Sequence, residues 1–278
     1  MNYRHAYHAG NFADCFKHPL LVALVDSFAR KAAPYFVLDT HAGAGRYDLA
    51  AEAARRTGEA EAGIRRLSPS QSPVLKRYLG LVDALGLYPG SPTLIRALLR
   101  TGDRLACCEI HPEDRIPLRR QFYRDPQVEV HNRSGWEALG ALLPPKQRRG
   151  LVFIDPPFED PDEFATLADG LSRGLGRFGH GVFAAWYPIK QRAAVRTFHA
   201  ELKMKGIRDV IALELYLHEP TNADRLNGCG VLVINPPYQF AEQGASIAGA
   251  VLNGLGHNER GAGTEQDHGN RWSLGPTF

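Results

Sequence analysis

The stretch Phe36-Val-Leu-Asp-Thr-His-Ala-Gly-Ala-Gly45 decides the fold of this chain. It joins an apolar run that ends in Asp39 to a turn that contains Gly43 and Gly45. Glycines at this place let a ligand approach the backbone closely where a strand passes into a helix. The dinucleotide fingerprint G-x-G-x-x-G would need a third glycine where the chain has Asp48. The pattern therefore predicts a ligand-binding turn in an α/β fold and disfavours a nicotinamide or flavin dinucleotide.

Seven short runs rich in β-branched and apolar residues recur along the chain, and each has the length of a strand. They are residues 35–39, 105–110, 128–131, 151–155, 182–186, 210–217 and 231–235. Several are apolar at every position, which is typical of parallel strands covered by helices on both faces. About a dozen residues separate the last two runs, and this short connection favours an antiparallel pair. The sequence therefore predicts an α/β fold with a seven-stranded, mostly parallel, doubly wound sheet.

The composition is that of a folded protein. Of the 278 residues, 44% are hydrophobic and 23% are charged, which excludes a disordered, collagen-like or coiled-coil chain. No stretch reaches the ~20 apolar residues that span a bilayer, and we see no secretory signal at the N-terminus. The four cysteines show no C-x-x-C spacing, so we expect reduced, buried thiols. We expect a cytoplasmic protein that does not bind a membrane.

An insertion separates the first predicted strand from the second by about 65 residues, far more than one crossover helix needs. Helix formers over 52–66 and apolar residues at helical spacing over 74–87 predict a small helical subdomain there. The expected organisation is an α/β main domain at 1–48 and 92–240, the helical subdomain at 49–91, and a loose C-terminal tail at 241–278.

Basic residues are concentrated in and around this insertion. Residues 46–100 contain nine Lys or Arg and five acidic residues, a net charge of +4, whereas the whole chain has a net charge of +3. Any one of these arginines fits an ordinary solvated surface. As a set they are a modest indication of phosphate binding.

Glu109 ends the second apolar run, so we expect it at the carboxyl edge of the sheet. A carboxylate there can accept two hydrogen bonds from a ribose diol, as in other doubly wound folds. The alternative is an ordinary surface glutamate at a strand end. The apolar strand before it favours the ligand-binding interpretation.

Asp155-Pro-Pro-Phe158 carries the strongest indication of chemistry. It follows a buried run, so it should emerge at the sheet edge where doubly wound folds bind ligands. The tetrapeptide resembles the (D/N)-P-P-(Y/F/W) signature of methyltransferases that act on amino nitrogens. The Asp155 carboxylate and the Pro156 carbonyl can each accept one N–H of an exocyclic amine, and Phe158 can stack on a flipped base. The alternative is a strand exit capped by an aspartate.

Asn235-Pro-Pro-Tyr238 fits the same signature. It follows the strand that we predict to be antiparallel, so it should leave the sheet at the opposite edge. We therefore interpret it as a structural strand end. A different strand count would make it the rival catalytic site.

The N-terminal segment 3–18 interleaves aromatic and basic residues and contains three of the eleven histidines. His5, His8, Asp14 and His18 are conceivable metal ligands, but their spacing matches no familiar metal site. We therefore expect no metal, and we interpret the segment as a lid that grips cofactor and substrate.

Seven motifs together resemble the RlmJ family, whose members methylate adenine N6 in 23S ribosomal RNA. They are Tyr3-Arg-His-x-x-His-Ala-Gly-Asn-x-x-Asp-x-x-Lys-His18, Leu38-Asp-Thr-His-Ala-Gly-Ala-Gly-Arg-Tyr47, Tyr88-Pro-Gly-Ser-Pro92, Glu109-x-His-Pro112, Arg149-Gly-Leu-x-x-Ile-Asp-Pro-Pro157, Trp186-Tyr-Pro188 and Ile234-Asn-Pro-Pro237. The resemblance implies a Rossmann-like class I methyltransferase with an inserted helical subdomain and with S-adenosylmethionine as methyl donor.

The resemblance also implies roles for particular residues. Those that would contact the cofactor or lie beside it are His18, His41, Ser91, Glu109, Ser134, Gly135 and Asp155, to which the glycine turn adds Gly43 and Gly45. Asp155 would be catalytic, with Pro156 and Phe158 beside it. Tyr3, Lys17 and Phe158 would contact the RNA.

Two positions depart from the family pattern. Ser134 stands where the family often has Asp, so a carboxylate contact to the cofactor's adenine becomes a hydroxyl contact. Phe158 stands where Tyr is common, which keeps the stacking face and loses the hydroxyl.

We therefore expect a monomeric enzyme that methylates adenine N6 in 23S ribosomal RNA. Two alternatives stay open. The same tetrapeptide serves N6-adenine DNA methyltransferases, and a non-catalytic RNA-binding or assembly protein could retain a methyltransferase fold. The intact glycine turn, Glu109 and Asp155 argue against the second alternative.

Overall fold

The computed structural model describes residues 5–256 and contains one large sheet and one small one. The strands are β1 (Phe36–Asp39), β2 (Arg46–Tyr47), β3 (Tyr88–Pro89), β4 (Arg104–Cys108), β5 (Val128–His131), β6 (Gly150–Ile154), β7 (Val182–Ile189), β8 (Val210–Tyr216) and β9 (Gly228–Ile234). The large sheet has seven strands in the order β5-β4-β1-β6-β7-β9-β8. In this sheet β9 is the strand that runs opposite to the other six. The prediction of seven strands with an antiparallel last pair is confirmed, whereas the pair β2–β3 was not predicted.

Helices cover both faces of the large sheet, and a short 3-10 helix (His5–Tyr7) precedes them. They are α1 (Phe12–Ala29), α2 (Glu52–Thr57), α3 (Glu59–Ala62), α4 (Ile64–Leu67), α5 (Lys76–Ala84), α6 (Ser91–Leu98), α7 (Pro112–Gln121), α8 (Gly135–Ala141), α9 (Glu163–Arg177), α10 (Arg192–Met204) and α11 (Phe240–Gly254). Within residues 5–256, no helix combines the length and the hydropathy needed to cross a bilayer.

The order of the strands indicates at which edge of the large sheet a ligand would bind. The chain builds outward from β1 through β4 to β5, and then returns to β6 and β7 on the other side of β1. The order thus reverses between β1 and β6, and open α/β sheets bind ligands at such a switch point, beyond the carboxyl ends of the strands. Asp39 pairs with Phe153 in register, so the residues that follow β1 and β6 leave the sheet side by side.

The inserted segment is helical, as predicted, but the predicted helix over 52–66 is divided into α2, α3 and α4. Gly58 and Gly63 lie at the two breaks. A Cβ at Gly63 would lie 2.1 Å from the carbonyl oxygen of Gly10, because that oxygen accepts a hydrogen bond from Ile64 N. The helices therefore break where the insertion meets the N-terminal segment. Apolar side chains of the insertion, such as Leu75, share one core with α1.

The expectation of a loose tail after Tyr238 is wrong for residues 240–254, which form α11. Ile247 and Val251 are buried on one face of this helix, which packs against α1 and β8. Gly244 lies so close to β8 that a Cβ there would be 2.2 Å from Leu213 Cδ1. Small residues thus permit the close packing, and they also weaken the apolar periodicity in the sequence. Residues 257–278 lie outside the described residues.

The motif that begins at Asn235 leaves the sheet at the edge opposite the glycine turn, as predicted from the antiparallel direction of β9. Asn235 Nδ2 donates hydrogen bonds to the carbonyl oxygens of Gly179 and Gly181, in the turn that leads into β7. These contacts belong to the structural end of a strand.

Candidate active site

One cavity of about 600 Å³ opens at the carboxyl edge of the large sheet. It collects most of the site residues predicted from the sequence, and these are Lys17, His18, His41, Gly43, Ser91, Glu109, Ser134, Gly135, Asp155, Pro156 and Phe158. Tyr3 lies outside the described residues. Gly45 does not line the cavity, so the structure does not bring it to the other predicted cofactor residues.

Gly45 has a structural role instead, as part of the turn after β1. Its φ of +81° lies in the left-handed region that glycine tolerates, and its carbonyl oxygen accepts hydrogen bonds from Gly90 N and Thr93 Oγ1. A Cβ at this position would lie within 3 Å of both Leu118 and Gln121. Gly45 thus joins the turn after β1 to the start of α6 and to α7. Gly43, with φ of +60°, is the glycine of this turn that faces the cavity.

Glu109 follows β4 and is buried at the cavity wall. Its Oε2 accepts a hydrogen bond from Gly43 N at 3.0 Å, and its Oε1 accepts one from His111 N at 2.8 Å. Burial raises the pKa of this carboxyl, and the two N–H donors oppose that shift. Each oxygen keeps a further lone pair with which to accept a hydroxyl. Glu109 therefore fixes the glycine turn and can still accept hydrogen bonds from a ribose diol.

Two histidines, the buried His18 and the partly buried His41, present neutral rings to the cavity. Burial lowers the pKa of His18 to about 3, and its Nδ1 lies 3.1 Å from Tyr88 Oη. Burial also lowers the pKa of His41 to about 4, and its Nδ1 lies 2.8 Å from Thr40 Oγ1. Near pH 7 both rings are uncharged, so they can form hydrogen bonds to a cationic ligand without repelling it.

Asp39 was noted in the sequence as the end of the first strand, but it was not proposed as a site residue. Its carboxylate is fully buried, and its Oδ2 accepts a hydrogen bond from Ser91 Oγ at 2.7 Å. Burial raises the pKa of Asp39 to about 7, and the negative charges of Asp155 and Glu109 add to the shift. Asp39 thus fixes the cavity-lining Ser91. In the sequence, this role of Asp39 is indicated only by its position at the end of the first strand, just before the glycine turn.

Ser134 and Gly135 begin α8 at the cavity wall. Ser134 Oγ accepts a hydrogen bond from Trp136 N, so the serine still caps the helix where the family often has an aspartate. Gly135 packs against the loop after β1, and a Cβ there would lie 2.3 Å from Thr40 O. The absence of a side chain at Gly135 therefore allows the loop after β1 and the start of α8 to touch.

Asp155 is held by a cation that comes from α1. Its Oδ2 lies 2.7 Å from Lys17 Nζ, and the same Nζ lies 2.9 Å from Asp14 Oδ1. Burial alone would raise the pKa of Asp14, but Lys17, His5 and His18 hold it well below its usual range. In the sequence analysis Lys17 is assigned to the substrate, and Asp14 is considered only as a conceivable metal ligand. The structure brings both residues into one buried charge network with the predicted catalytic carboxylate.

Aromatic rings form the wall beside Asp155. Phe158 contacts Trp186 edge-to-face at 5.8 Å between ring centroids and Phe164 at 4.9 Å. Lys17 Nζ lies 5.5 Å from the Trp186 ring centroid. Phe158 has a φ of +50°, a conformation that a non-glycine residue adopts rarely and that is common at functional sites. The loop after β6 therefore holds Phe158 in a fixed, strained position.

The cavity walls are acidic. Seven Asp or Glu residues line the cavity, and only three Lys or Arg residues do. Such a wall suits a ligand that carries positive charge, such as the sulfonium and ammonium groups of S-adenosylmethionine. Among residues 5–256, no cluster of three or more His, Cys, Asp or Glu side chains could hold a metal ion.

A model of the family described as "Ribosomal RNA large subunit methyltransferase D, RlmJ" matches residues 32–266. The chain belongs to this family. "Ribosomal RNA large subunit methyltransferase J" of Escherichia coli K12 is 39% identical over 251 residues, which cover 87% of this chain and 90% of the relative. The protein of the same name from Haemophilus influenzae is 36% identical over 252 residues, with the same coverage.

A solved structure supports the family fold. The crystal structure of a Legionella pneumophila protein superposes with a TM-score of 0.84 and 30% sequence identity, covering 92% of this chain and 96% of the other. The seven-stranded sheet with one antiparallel strand is thus the Rossmann-like fold of a ribosomal RNA methyltransferase family.

Proposed function

We propose that this enzyme transfers a methyl group from S-adenosylmethionine to N6 of an adenine in 23S ribosomal RNA. The observation that carries the proposal is the position of Asp155. Its carboxylate follows β6 at the cavity wall, one oxygen is held by Lys17, and Phe158 lies three residues further on. The family and its curated relatives support ribosomal RNA as the substrate.

The cofactor half of the cavity comprises the ends of β1 and β4 and the start of α8. We propose that Glu109 accepts hydrogen bonds from the ribose, and that Ser134 and Gly135 lie beside the adenine. His18, His41, Ser91 and Gly43 complete this half, together with one face of Asp155. The donor would supply an electrophilic methyl group on a sulfonium, and the acidic walls favour that positive charge.

The target half contains Asp155, Pro156, Phe158 and Trp186. The N6 lone pair of adenine is delocalised into the ring and is a poor nucleophile. Asp155 Oδ1 and the Pro156 carbonyl can each accept one N6 hydrogen, which localises the lone pair and aims it at the methyl group. Lys17 restrains the other oxygen of Asp155, so the carboxylate keeps one orientation. Phe158 would stack on the flipped base.

The wider assignments are also proposals. We propose a main domain at 1–48 and 92–240 with a helical insertion at 49–91, where the shared core makes the insertion a rigid part of the enzyme. We further propose that the enzyme acts as a monomer, without a metal, in the cytoplasm where ribosomal RNA is found, and that Tyr3 contacts the RNA.

The deciding experiment supplies radiolabelled S-adenosylmethionine and 23S ribosomal RNA transcribed in vitro, which carries no methyl groups, and identifies the labelled nucleoside after digestion. We expect N6-methyladenosine. Adenine-containing DNA of the same sequence is the control polymer. Label in the DNA alone would replace the proposal with a DNA methyltransferase. Cofactor binding without transfer to either polymer would indicate a ribosomal particle as substrate, and absence of cofactor binding would indicate a non-catalytic RNA-binding protein.

A further inference from the structure

Two loops form the mouth of the cavity on the side of Phe158. One follows β7 and contains Lys190, and the other connects β8 to β9. Pro188, Lys190, Asp224 and Leu226 line the cavity there, next to Trp186. The mouth therefore adjoins the proposed target half and lies away from Glu109 and Ser134.

A buried asparagine ties these two loops together. Asn227 has no solvent exposure, and its Nδ2 donates hydrogen bonds to Lys190 O at 2.8 Å and to Asn222 O at 2.7 Å. Its backbone N donates to Ile189 O at 3.0 Å, and its Oδ1 accepts from Arg225 Nε at 3.0 Å. Because the polar groups of a buried side chain must be satisfied, this arrangement fixes both loops and one guanidinium.

Two cations on these loops have no ion-pair partner within residues 5–256: Lys190, which lines the cavity, and Arg225, which lies between the lining residues Asp224 and Leu226. Arg192 is paired with Glu219 at 3.5 Å. Lys190 and Arg225 are exposed and form no ion pair in the part of the chain that the structure describes. Asp224 is the acidic neighbour in the same loop. The guanidinium of Arg225 keeps both terminal nitrogens for a bidentate contact, since only Nε is used by Asn227.

The charge of the cavity explains why these cations matter. The interior walls are acidic, and Lys17 is shared between Asp14 and Asp155. A nucleotide that enters base-first against Phe158 leaves its phosphates at the mouth. There the phosphates would meet Lys190, in the cavity lining, and Arg225, on the adjoining loop, before they approach the carboxylates inside.

We infer that Lys190 and Arg225, on loops fixed by Asn227, form a binding site for the ribose–phosphate backbone beside the flipped adenosine. This inference rests on the proposed function. The site would increase the affinity for RNA and guide the target nucleotide into the cavity. Asn227 acts as a positioning residue, because it fixes the loops that carry Lys190 and Arg225.

The test measures equilibrium binding of 23S ribosomal RNA transcribed in vitro across a series of KCl concentrations, with no methyl transfer required. Lys190→Met and Arg225→Met each remove one charge and keep an aliphatic stem. Each should lower the slope of log K against log salt by about 0.7 to 0.9, and each should weaken binding by roughly threefold. Affinity for S-adenosylmethionine should stay at the wild-type value.

Lys146→Met is the matched control, because Lys146 is an exposed lysine in the loop before β6, at the opposite edge of the sheet. It should leave the salt slope unchanged. Asn227→Ala should weaken RNA binding as much as the double variant Lys190→Met/Arg225→Met, with cofactor affinity retained. Loss of folding by the Asn227 variant leaves the lysine and arginine variants to decide.

The outcomes separate this inference from the proposed function. Wild-type salt slopes in both single variants, in a chain that binds and methylates the RNA, would overturn the phosphate site alone. A wild-type chain that binds the RNA but does not bind S-adenosylmethionine would overturn the proposed function, and the slopes would still decide the site. A chain that does not bind RNA at all would overturn both.

Discussion

Lys17 Nζ lies 2.7 Å from Asp155 Oδ2, so a buried cation on the first long helix holds the carboxylate that follows the central strand. The side chain of Lys17 is 5% exposed, and its ammonium also contacts Asp14, which has no exposure. A buried charge is tolerated only when it is paired, and here one cation serves two carboxylates. The geometry of the candidate catalytic residue therefore depends on a helix that is distant from it in sequence.

Replacing the carboxylate of Asp155 tests its role directly. We expect Asp155→Ala to lower the rate of methyl transfer by about 10²- to 10³-fold, because the variant cannot accept an N6 hydrogen. RNA affinity should change little, since phosphate contacts supply most of it. Single-turnover transfer and RNA binding measured on the same preparation separate the two effects. Wild-type transfer by this variant would remove Asp155 from the mechanism.

Replacing Lys17 should affect both stability and activity. Lys17→Met leaves Asp14 buried without its main cation, and we expect unfolding by urea to show a loss of about 3 to 5 kcal/mol. Methyl transfer should also fall, because Asp155 loses its restraint.

The double variant Lys17→Met/Asp14→Asn removes the unpaired buried charge, and an asparagine oxygen can still accept the hydrogen bond from Gly10 N. We expect it to recover most of the stability and none of the activity. Lys76→Met, at an exposed position on α5, should change the free energy of unfolding by less than about 0.5 kcal/mol. Recovery of activity together with stability would show that Lys17 acts only in folding.

The titration of Asp39 predicts a pH dependence of stability. Because burial raises its pKa to about 7, the folded state binds a proton that the unfolded state has released above about pH 4. The contribution of Asp39 to stability should therefore fall as the pH rises from about 4 to 7, by at most about 1.4 kcal/mol per pH unit, and should be constant above pH 7.

Asp39→Asn removes this titration and keeps an oxygen for Ser91. The difference in unfolding free energy between variant and wild type should grow in favour of the variant up to about pH 7 and then level off. Using the difference cancels the titration of groups that both proteins share. Parallel stability curves for the two proteins from pH 4 to 8 would contradict the raised pKa.

Phe158 offers a test of base stacking. Phe158→Ala should weaken productive RNA binding by about 1 to 3 kcal/mol, which corresponds to a rise in KM for RNA of roughly 5- to 150-fold. Phe158→Tyr keeps the aromatic face and should stay within about threefold of wild type. Steady-state kinetics with RNA as the varied substrate distinguish these results. Equal effects of the two substitutions would indicate that the ring supports the loop and does not contact the base.

The sequence predicted the parts of the site that depend on strand ends. Glu109 and Asp155 each follow an apolar run, and parallel strands bring their carboxyl ends to one edge, so their meeting in one cavity could be foreseen. The sequence shows two glycines, Gly43 and Gly45, two positions apart. It could not show that Gly43 faces the cavity, whereas Gly45 joins the turn to α6 and α7. That distinction depends on Gly90 and Thr93, whose hydrogen bonds to Gly45 span more than forty residues.

Other features needed the three-dimensional structure for similar reasons. The contact of Lys17 with Asp155 joins residues with no shared local pattern. Helix α11 was missed because Gly244 and its small neighbours weaken the apolar signal, while close packing on Leu213 stabilises the helix. Asn227 reads as a loop residue, and only the fold shows that its amide connects two loops.

Two glycines on the same short helix, α8, predict opposite effects of one added methyl group. A Cβ at Gly135 would lie 2.3 Å from Thr40 O and 2.8 Å from His41 Cε1, so Gly135→Ala must displace the loop after β1. At Gly140 the nearest atom to an added Cβ is 4.0 Å away, on the side chain of Arg173. Alanine there should stabilise the helix by up to about 1 kcal/mol, because alanine has the higher helix propensity.

The two substitutions should also differ in cofactor affinity. Gly135→Ala moves the backbone that carries His41, so we expect affinity for S-adenosylmethionine to fall at least tenfold, or about 1.4 kcal/mol, together with the unfolding temperature. Gly140→Ala should bind the cofactor as wild type does. Calorimetric titration and thermal unfolding of both variants measure this contrast. Wild-type cofactor affinity in a folded Gly135→Ala protein would mean that the loop after β1 is not part of the cofactor site.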